Sequence, residues 1–348
     1  MKWVKIKKAE INEWNEKLKA THASFFQYPY YASGYTFFLF SKPLYIKLVN
    51  DQQQELGYSC ILNVGAFPFK AGLIIRGPVF FKTNVDHRSS LIALKKFAVK
   101  ERYTFLRVNA NEPAIEELLN TDSEFEHKDY FPSYKGSQGI DLNIYYKPFD
   151  ELLKSFRTDC RNKIRFANEK NYLFEKVKTS TDLEKVYDLF VGLGSKKKFS
   201  YRPLKSYTKI FKEGIKHELC SVYTASLDGR IICAAFIVKD SQSFTYFSGA
   251  LELQNIPAKY SPANNLHYLI MQDCFYKEDR KIYNLSYSPR ESGVYMFKTS
   301  FRPEEICKPG FYTYVINRKI AERIFSLQGK SISAIRTKLR SIIKLFNK

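Results

Sequence analysis

Late in the chain, Phe297-Lys298 sets a cation among aromatic residues in a run that closes at Phe301. A β-rich stretch, Lys281-Ile282-Tyr283-Asn284-Leu285, and a polar turn with Pro289 and Gly293 come before it. This pattern predicts a short strand that leaves its sheet into a loop bearing Lys298. Strand ends and the loops after them are where open sheets present reactive groups. An ammonium there can hold an anion, and in a Lys-rich chain it can equally be a solvated surface group. Tyr283, Tyr287 and Arg290 lie in the same stretch and can add hydrogen bonds, although Tyr283 fits a core ring as well.

A second group of cations precedes it. Leu152, Leu153, Phe156, Cys160, Ile164 and Ala167 form one apolar stripe, and Lys154, Arg157, Arg161 and Arg165 form a stripe beside it. Spacings of three and four predict a helix from Pro148 through Asn168. A cationic ladder costs an isolated helix a few tenths of a kcal/mol per pair. It is tolerable in solvent and more useful against an anion, so Arg161 and Arg165 are candidate anion-binding residues. Arg76, at the end of the strand Gly72 to Ile75, is a third candidate, and a structural role suits it at least as well.

Elements of ordinary length must position these groups. The 348 residues allow two domains, with apolar and aromatic content enough for two cores. The net charge of +21 directs attention to anionic partners: nucleic acid, acidic or phosphorylated substrates, or an anionic membrane surface. Six scattered cysteines and five unclustered histidines argue against a zinc site and for buried thiols in a reducing compartment. No signal-like start and no membrane-length apolar run is present, so a cytoplasmic protein is expected, peripheral at the inner face of the membrane at most. The segment 317–348 carries nine Lys/Arg against the single acid Glu322. Its last helix has an apolar face of Ile332, Ile335, Leu339, Ile342, Ile343 and Phe346. That helix suits an anionic membrane surface, and docking on its own domain nearly as well.

Both halves read as strand, two helices, three antiparallel strands, helix, strand, helix or loop, strand. Asp228-Gly229 marks the hairpin between two strands of the second half. Thr181-Asp182-Leu183-Glu184 reads as a capping box that opens a helix ending at Gly192 and Gly194. This is the element order of the GNAT acyltransferase fold written twice. The expected class is therefore α+β (mixed α/β), with two tandem GNAT-like domains of mixed sheets flanked by helices, followed by basic C-terminal helices. The expected bounds are 1–147, 148–316 and 317–348.

Within that order, particular residues resemble the FemAB family, tandem-GNAT enzymes that add amino acids to peptidoglycan precursors, and its FemAB-like relatives. These are Phe26-Gln27-Tyr28-Pro29, Arg76-Gly77-Pro78-Val79, Ile140-Asp141-Leu142 with Arg161 to Ala167, and Tyr283-Asn284-Leu285 with Gly293 to Phe301. The resemblance implies an acyltransferase that brings an amine onto an activated acyl ester or thioester, with its active site in the second domain. It implies that Lys298 stabilises the oxyanion or a donor phosphate, with Tyr287 and Arg290 beside it. Arg161, Arg165, Arg76 and Tyr283 would bind an anionic substrate such as a nucleotide-sugar or lipid-linked precursor, or a tRNA backbone. No bound cofactor is expected, and the donor would be aminoacyl-tRNA or acyl-CoA.

The chain departs from the family in having Asn284, Ser286 and Tyr287 where acidic and glycine residues are frequent, and in lacking a long helical arm. Asn255-Ile256-Pro257-Ala258-Lys259-Tyr260 has no glycine to bring backbone N–H groups onto a pyrophosphate, which weighs against CoA. Two other functions stay open here. One is an acyl-CoA- or acyl-carrier-protein-dependent N-acyltransferase of polysaccharide or lipid synthesis. The other is a catalytically silent double-GNAT module that binds RNA or membranes.

Overall fold

The computed structural model describes residues 1–35, 42–64, 70–82, 84–126, 140–253 and 256–326. Its strands up to residue 126 are β1 (Lys2–Lys5), β2 (Leu44–Val49), β3 (Glu55–Val64), β4 (Ala71–Ile74), β5 (Val79–Phe80), β6 (Phe105–Asn109) and β7 (Phe125–Glu126). The helices among them are α1 (Glu13–Lys19), α2 (Pro29–Ser33), α3 (His87–Lys100) and α4 (Pro113–Thr121). Then come β8 (Ile140–Tyr145), α5 (Phe149–Ser155), α6 (Thr158–Ala167), β9 (Leu173–Lys176), α7 (Ser180–Lys197) and α8 (Leu204–Lys216). A meander of β10 (Cys220–Leu227), β11 (Arg230–Lys239) and β12 (Ser243–Leu251) leads to α9 (Ala263–Gln272), which runs on as a π-helical turn, Asp273–Lys277. The chain continues through β13 (Ile282–Asn284), α10 (Gly293–Thr299), β14 (Glu304–Cys307), β15 (Phe311–Val315) and α11 (Arg318–Ser326).

Two compact units result. The first comprises 1–138 and 308–348, and the second comprises 139–307. Among the described residues the first has a mixed sheet in the order β1-β2-β3-β4-β6-β15-β7, with β5 also on β3. Its core joins Ile46, Leu48, Ile61 and Ile74 of the sheet to Leu91 and Leu94 of α3 and to Tyr312 of β15. The second has the sheet β14-β8-β13-β12-β11-β10-β9. Its core joins Leu142, Ile144, Ala235, Phe244 and Tyr283 to Phe156, Ile164, Leu266, Ile270 and Phe301.

These units do not follow the bounds read from the sequence. Residues 139–147 belong with the second unit, because β8 pairs antiparallel with both β13 and β14. Residues 308–316 belong with the first, because β15 pairs with β6 and β7. Short alternating strands such as IDLNIY and FYTYV carry no mark of which of two sheets they join. The segment 331–348, expected as a basic amphipathic helix, lies outside the described residues, while α11 is helical as expected.

Two helix assignments change as well. The helix expected from Pro148 to Asn168 is two helices, α5 and α6, broken where Phe156 and Arg157 take extended backbone. Phe156 thereby buries completely and packs edge-on against Phe301, 5.2 Å between centroids. The N–H of Arg157 donates to the Ser300 carbonyl. Helix α7 runs through Gly192 and Gly194 to Lys197, and its N-cap is Thr179, whose hydroxyl accepts from the Asp182 N–H. Gly194 is needed for the return of the chain, since a Cβ there would come 2.7 Å from the Phe199 carbonyl oxygen.

Candidate active site

The site starts from a break in the second sheet. Strand β13 lies parallel to β12, but their ladder comprises only Ser243 with Ile282, Phe244 with Tyr283 and Thr245 with Asn284. Past this point β12 continues along β11 to Leu251, with a bulge where its register on Phe236 and Ile237 skips Phe247. The chain leaving β13 stays with β8 instead, the Leu285 N–H donating to the Leu142 carbonyl. Two neighbouring strands thus diverge at their carboxyl ends, the kind of crevice where open mixed sheets receive ligands.

Ser286 crosses the opening. Its φ of +59° is left-handed, and three hydrogen bonds fix that conformation. The Ser286 N–H donates to Asn284 Oδ1 at 2.6 Å, and its hydroxyl donates to the Tyr246 carbonyl of β12 at 2.8 Å. Its carbonyl accepts from Lys298 Nζ at 3.2 Å, as does the Tyr287 carbonyl, also at 3.2 Å.

Lys298 is therefore neither on a loop nor solvated. It lies in the last turn of α10, whose Ser292 cap accepts from the Tyr295 N–H, and it is 4% exposed. Its ammonium stands 5.6 Å from the ring centroid of Tyr246. A cation at the carboxyl end of a helix is favoured by the helix dipole, and exclusion from water strengthens its action on nearby charge.

Behind Tyr246 sits His267 of α9, a residue whose sequence surroundings form no motif. It is 3% exposed and ringed by Tyr246, Phe297, Phe301 and Tyr283, with centroids 4.6–5.9 Å away. Its Nδ1 shares a 2.6 Å hydrogen bond with the Tyr283 hydroxyl. Burial, and then the Lys298 charge, lower its pKa from 6.5 to about 3, so the imidazole is neutral. The only advance signal was position, since residue 267 falls on the buried face of a helix packed beneath the divergent strands.

The far half of β12 is lined from the α7–α8 side. Tyr207 Oη and Ser248 Oγ are 2.7 Å apart, and the Tyr201 hydroxyl donates to the Gly249 carbonyl at 2.8 Å. Gly249 also leaves the room that the Tyr246 hydroxyl occupies, since a Cβ there would collide with it.

The other expected site residues are dispersed. Tyr283 is a fully buried core ring whose hydroxyl reaches His267. Tyr287 is 43% exposed and contributes its carbonyl to Lys298. Arg290 is exposed and ion-paired to Glu305, which also accepts from the Tyr295 hydroxyl. Arg161 turns back on its own backbone, its guanidinium donating to the Lys154 and Phe156 carbonyls and to Thr158 Oγ1. It thus caps α5, whose broken end left those carbonyls open. Arg165 is exposed, its guanidinium carbon 5.1 Å from the Phe166 ring centroid.

Arg76 belongs to the first unit. Its φ is +53° and its N–H donates to Asn109 Oδ1. Two of the sequence motifs interlock beside it. Gln27, fully buried, donates from Nε2 to the Ile75 carbonyl and accepts the Cys60 N–H on Oε1. A Cβ on Gly77 would come 2.7 Å from that amide. These motifs are accounted for by packing.

Among the described residues no group of three His, Cys, Asp or Glu could hold a metal ion, and no helix is long and apolar enough to cross a membrane.

Residues 154–289 match the family described as Acetyltransferase (GNAT) domain, which spans most of the second unit. No curated protein matches the sequence. Among solved structures, the chain is similar to FemX (TM-score 0.76, 16% identity, 93% of this chain and 100% of that one). It is also similar to a C-terminal domain from Agrobacterium fabrum described as that of a lysylphosphatidylglycerol synthetase (TM-score 0.57, 12% identity, 91% and 96%). A third is a tandem GNAT protein from the clavulanic acid biosynthesis pathway (TM-score 0.50, 9% identity, 90% and 97%). At these identities the likeness is one of fold, and that fold is the tandem GNAT arrangement expected from the element order.

Proposed function

We propose that this chain, whose fold is the tandem GNAT arrangement, moves an aminoacyl group from aminoacyl-tRNA onto an amine of a cell-envelope precursor. The reaction centre is the opening between β12 and the chain leaving β13. One observation carries this reading: a buried ammonium, Lys298, held by the Ser286 and Tyr287 carbonyls where these strands diverge.

Attack of an amine on an acyl ester drives the carbonyl electron pair onto oxygen, and the resulting oxyanion needs a positive partner already in place. Lys298 supplies it without reorganisation, because two hydrogen bonds and the Tyr246 ring fix its ammonium. The attacking nitrogen forms the new C–N bond and loses a proton, and collapse of the oxyanion expels the ribose oxygen, which takes a proton. A histidine with a pKa of about 3 is too weak a base for the amine, so His267 serves to wall and position the centre. The acceptor class is drawn from the FemAB resemblance and from the lipid named for one fold neighbour.

Single-turnover transfer from aminoacyl-tRNA to lipid-linked and nucleotide-linked peptidoglycan precursors tests this reading. Lys298→Met keeps the length of the side chain and removes its charge. It should slow transfer by roughly a hundred- to a thousand-fold, the usual loss of one oxyanion partner. Transfer by Lys298→Met within a few-fold of the wild type would refute the assignment.

A further inference from the structure

Outside the site just described, one surface of the second unit gathers exposed cations on aromatic rings. The C-terminal end of α6, the chain after it, and the single helical turn Ala258–Tyr260 before α9 lie together. The Tyr172 hydroxyl donates to the Tyr260 carbonyl at 2.7 Å, and Asn265 donates to Asn168 at 2.7 Å. Phe166 and Tyr260, both half-buried, meet edge-on at 6.1 Å.

Three exposed cations rest on these two rings. Lys259 Nζ is 4.7 Å from the Tyr260 centroid and 5.8 Å from that of Phe166, and Lys170 Nζ is 4.6 Å from Tyr260. The Arg165 guanidinium lies 5.1 Å from Phe166. No carboxylate among the described residues forms an ion pair with any of the three. The rings hold long side chains in place, which lowers the entropy lost when an anion binds.

We infer that this face is a track for a single strand of RNA, its phosphodiesters on Arg165, Lys170 and Lys259 and a base against the edges of Phe166 and Tyr260. Cations interleaved with partly exposed aromatic rings are how single-stranded nucleic acid is bound without sequence preference. The placement also has a consequence for catalysis. Tyr260 lies three residues before the start of α9, which carries His267 about one helical turn past its first residue, and Asn264 of α9 touches Ser300 just after α10. On this inference the acylated terminus of the strand follows α9 from the track towards the site. In this form the inference rests on the acyl transfer proposed above and locates the donor's nucleic-acid part.

The experiment uses an unacylated RNA of about twelve nucleotides, so that its outcome does not depend on transfer. Fluorescence anisotropy across a salt series compares the full chain with R165Q/K170Q/K259Q and with K205Q/K209Q/K212Q, an equal change of charge on the exposed side of α8. Loss of three phosphate contacts should lower the slope of log affinity against log salt by about 2 in the first variant. The second should keep the wild-type slope. Equal losses in both variants would mean a diffuse basic surface and overturn the track, as would an unchanged slope in the first. If the first variant keeps RNA binding and loses only binding to phosphatidylglycerol-containing vesicles, the face reads lipid headgroups and the inference is wrong. Should the track fail while Lys298→Met is inactive in transfer, the acyltransfer reading stands. Should the track hold while Lys298→Met is fully active, only that reading falls.

Discussion

The hydroxyl of Tyr283 and Nδ1 of His267 lie 2.6 Å apart within the core of the second unit. Tyr283 is the middle residue of β13, paired across the sheet with Phe244 and with Ile144. His267 is the fifth residue of α9. The hydrogen bond therefore ties the helix to the strand at the level where β12 and β13 part. It fixes the imidazole ring, and through Tyr246 and Phe297 the ring forms the wall behind Lys298. A cation and a histidine this close favour the neutral imidazole.

That neutrality gives a pH signature. The folded-state pKa of His267 is about 3 against an ordinary 6.5, so between these values the unfolded chain binds a proton here that the folded chain does not. Its contribution to stability is complete above about pH 6.5 and is lost as pH falls towards 3. Urea unfolding at steps from about pH 7 to about pH 5 should show wild-type stability falling more steeply than that of His267→Gln. The difference should approach about 1.4 kcal/mol per pH unit in the acid part of the range. Parallel curves would mean that the imidazole is protonated in the folded protein.

Arg161 gives a second test, because its guanidinium is spent on the backbone carbonyls of Lys154 and Phe156. Hydrogen bonds from charged groups are each worth about 1.5–3 kcal/mol, and this one is half-exposed, so Arg161→Ala should cost about 1–2 kcal/mol. Arg161→Lys should recover little, since one ammonium cannot reproduce the fork of a guanidinium. The KM for either substrate should move less than a few-fold. A KM raised tenfold with stability unchanged would restore the substrate-binding role expected from sequence.

Much of this architecture was legible beforehand, and the exceptions share a cause. Hydrophobic period and turn chemistry located the β10–β11 hairpin at Asp228-Gly229, both with positive φ, and the amphipathic α8. They also placed Lys298 beyond the turn that follows the strand at Tyr283. They did not reveal that Lys298 would be helical and buried, because its partners are carbonyls, and carbonyl acceptors have no residue signature. The break at Phe156 was hidden because an apolar residue that rotates to meet Phe301 keeps the helical period. His267 was hidden because its partner Tyr283 is distant in sequence and a single histidine makes no motif. Strand exchange between the units was hidden because pairing is decided by long-range register.

Two glycines separate space from strain. Gly192 lies inside α7 with nothing within 4 Å of an added Cβ, so Gly192→Ala should stabilise the protein by about 0.5–1 kcal/mol through helix propensity. At Gly249 an added Cβ would strike the Tyr246 hydroxyl and come 2.7 Å from the Ala234 carbonyl oxygen. Gly249→Ala should therefore cost about 1–3 kcal/mol, and should displace the ring that faces both Lys298 and His267. Thermal unfolding of the two variants in parallel checks the opposite signs. A Gly249→Ala protein as stable as the wild type and equally active would show that Tyr246 is free to move.

Ser286 is where backbone strain and the candidate chemistry meet. Its φ of +59° is costly for any residue with a Cβ and most costly for a β-branched one. The strain is held by the bonds to Asn284 and to the Tyr246 carbonyl, and its result is a carbonyl aimed at Lys298 Nζ. Two substitutions separate the contributions. Ser286→Gly removes the hydroxyl and relieves the strain, so its stability should stay within about 1 kcal/mol of the wild type. Ser286→Val also loses the hydroxyl but cannot adopt the left-handed conformation cheaply, and should lose about 2 kcal/mol or more. If the carbonyl positions Lys298, transfer should fall further in the valine variant than in the glycine variant, at a temperature where both are folded. A fall in kcat with an unchanged KM would locate the defect in the oxyanion partner, since binding does not require that alignment. Equal rates in the two variants would show that the ammonium finds its place without the Ser286 carbonyl.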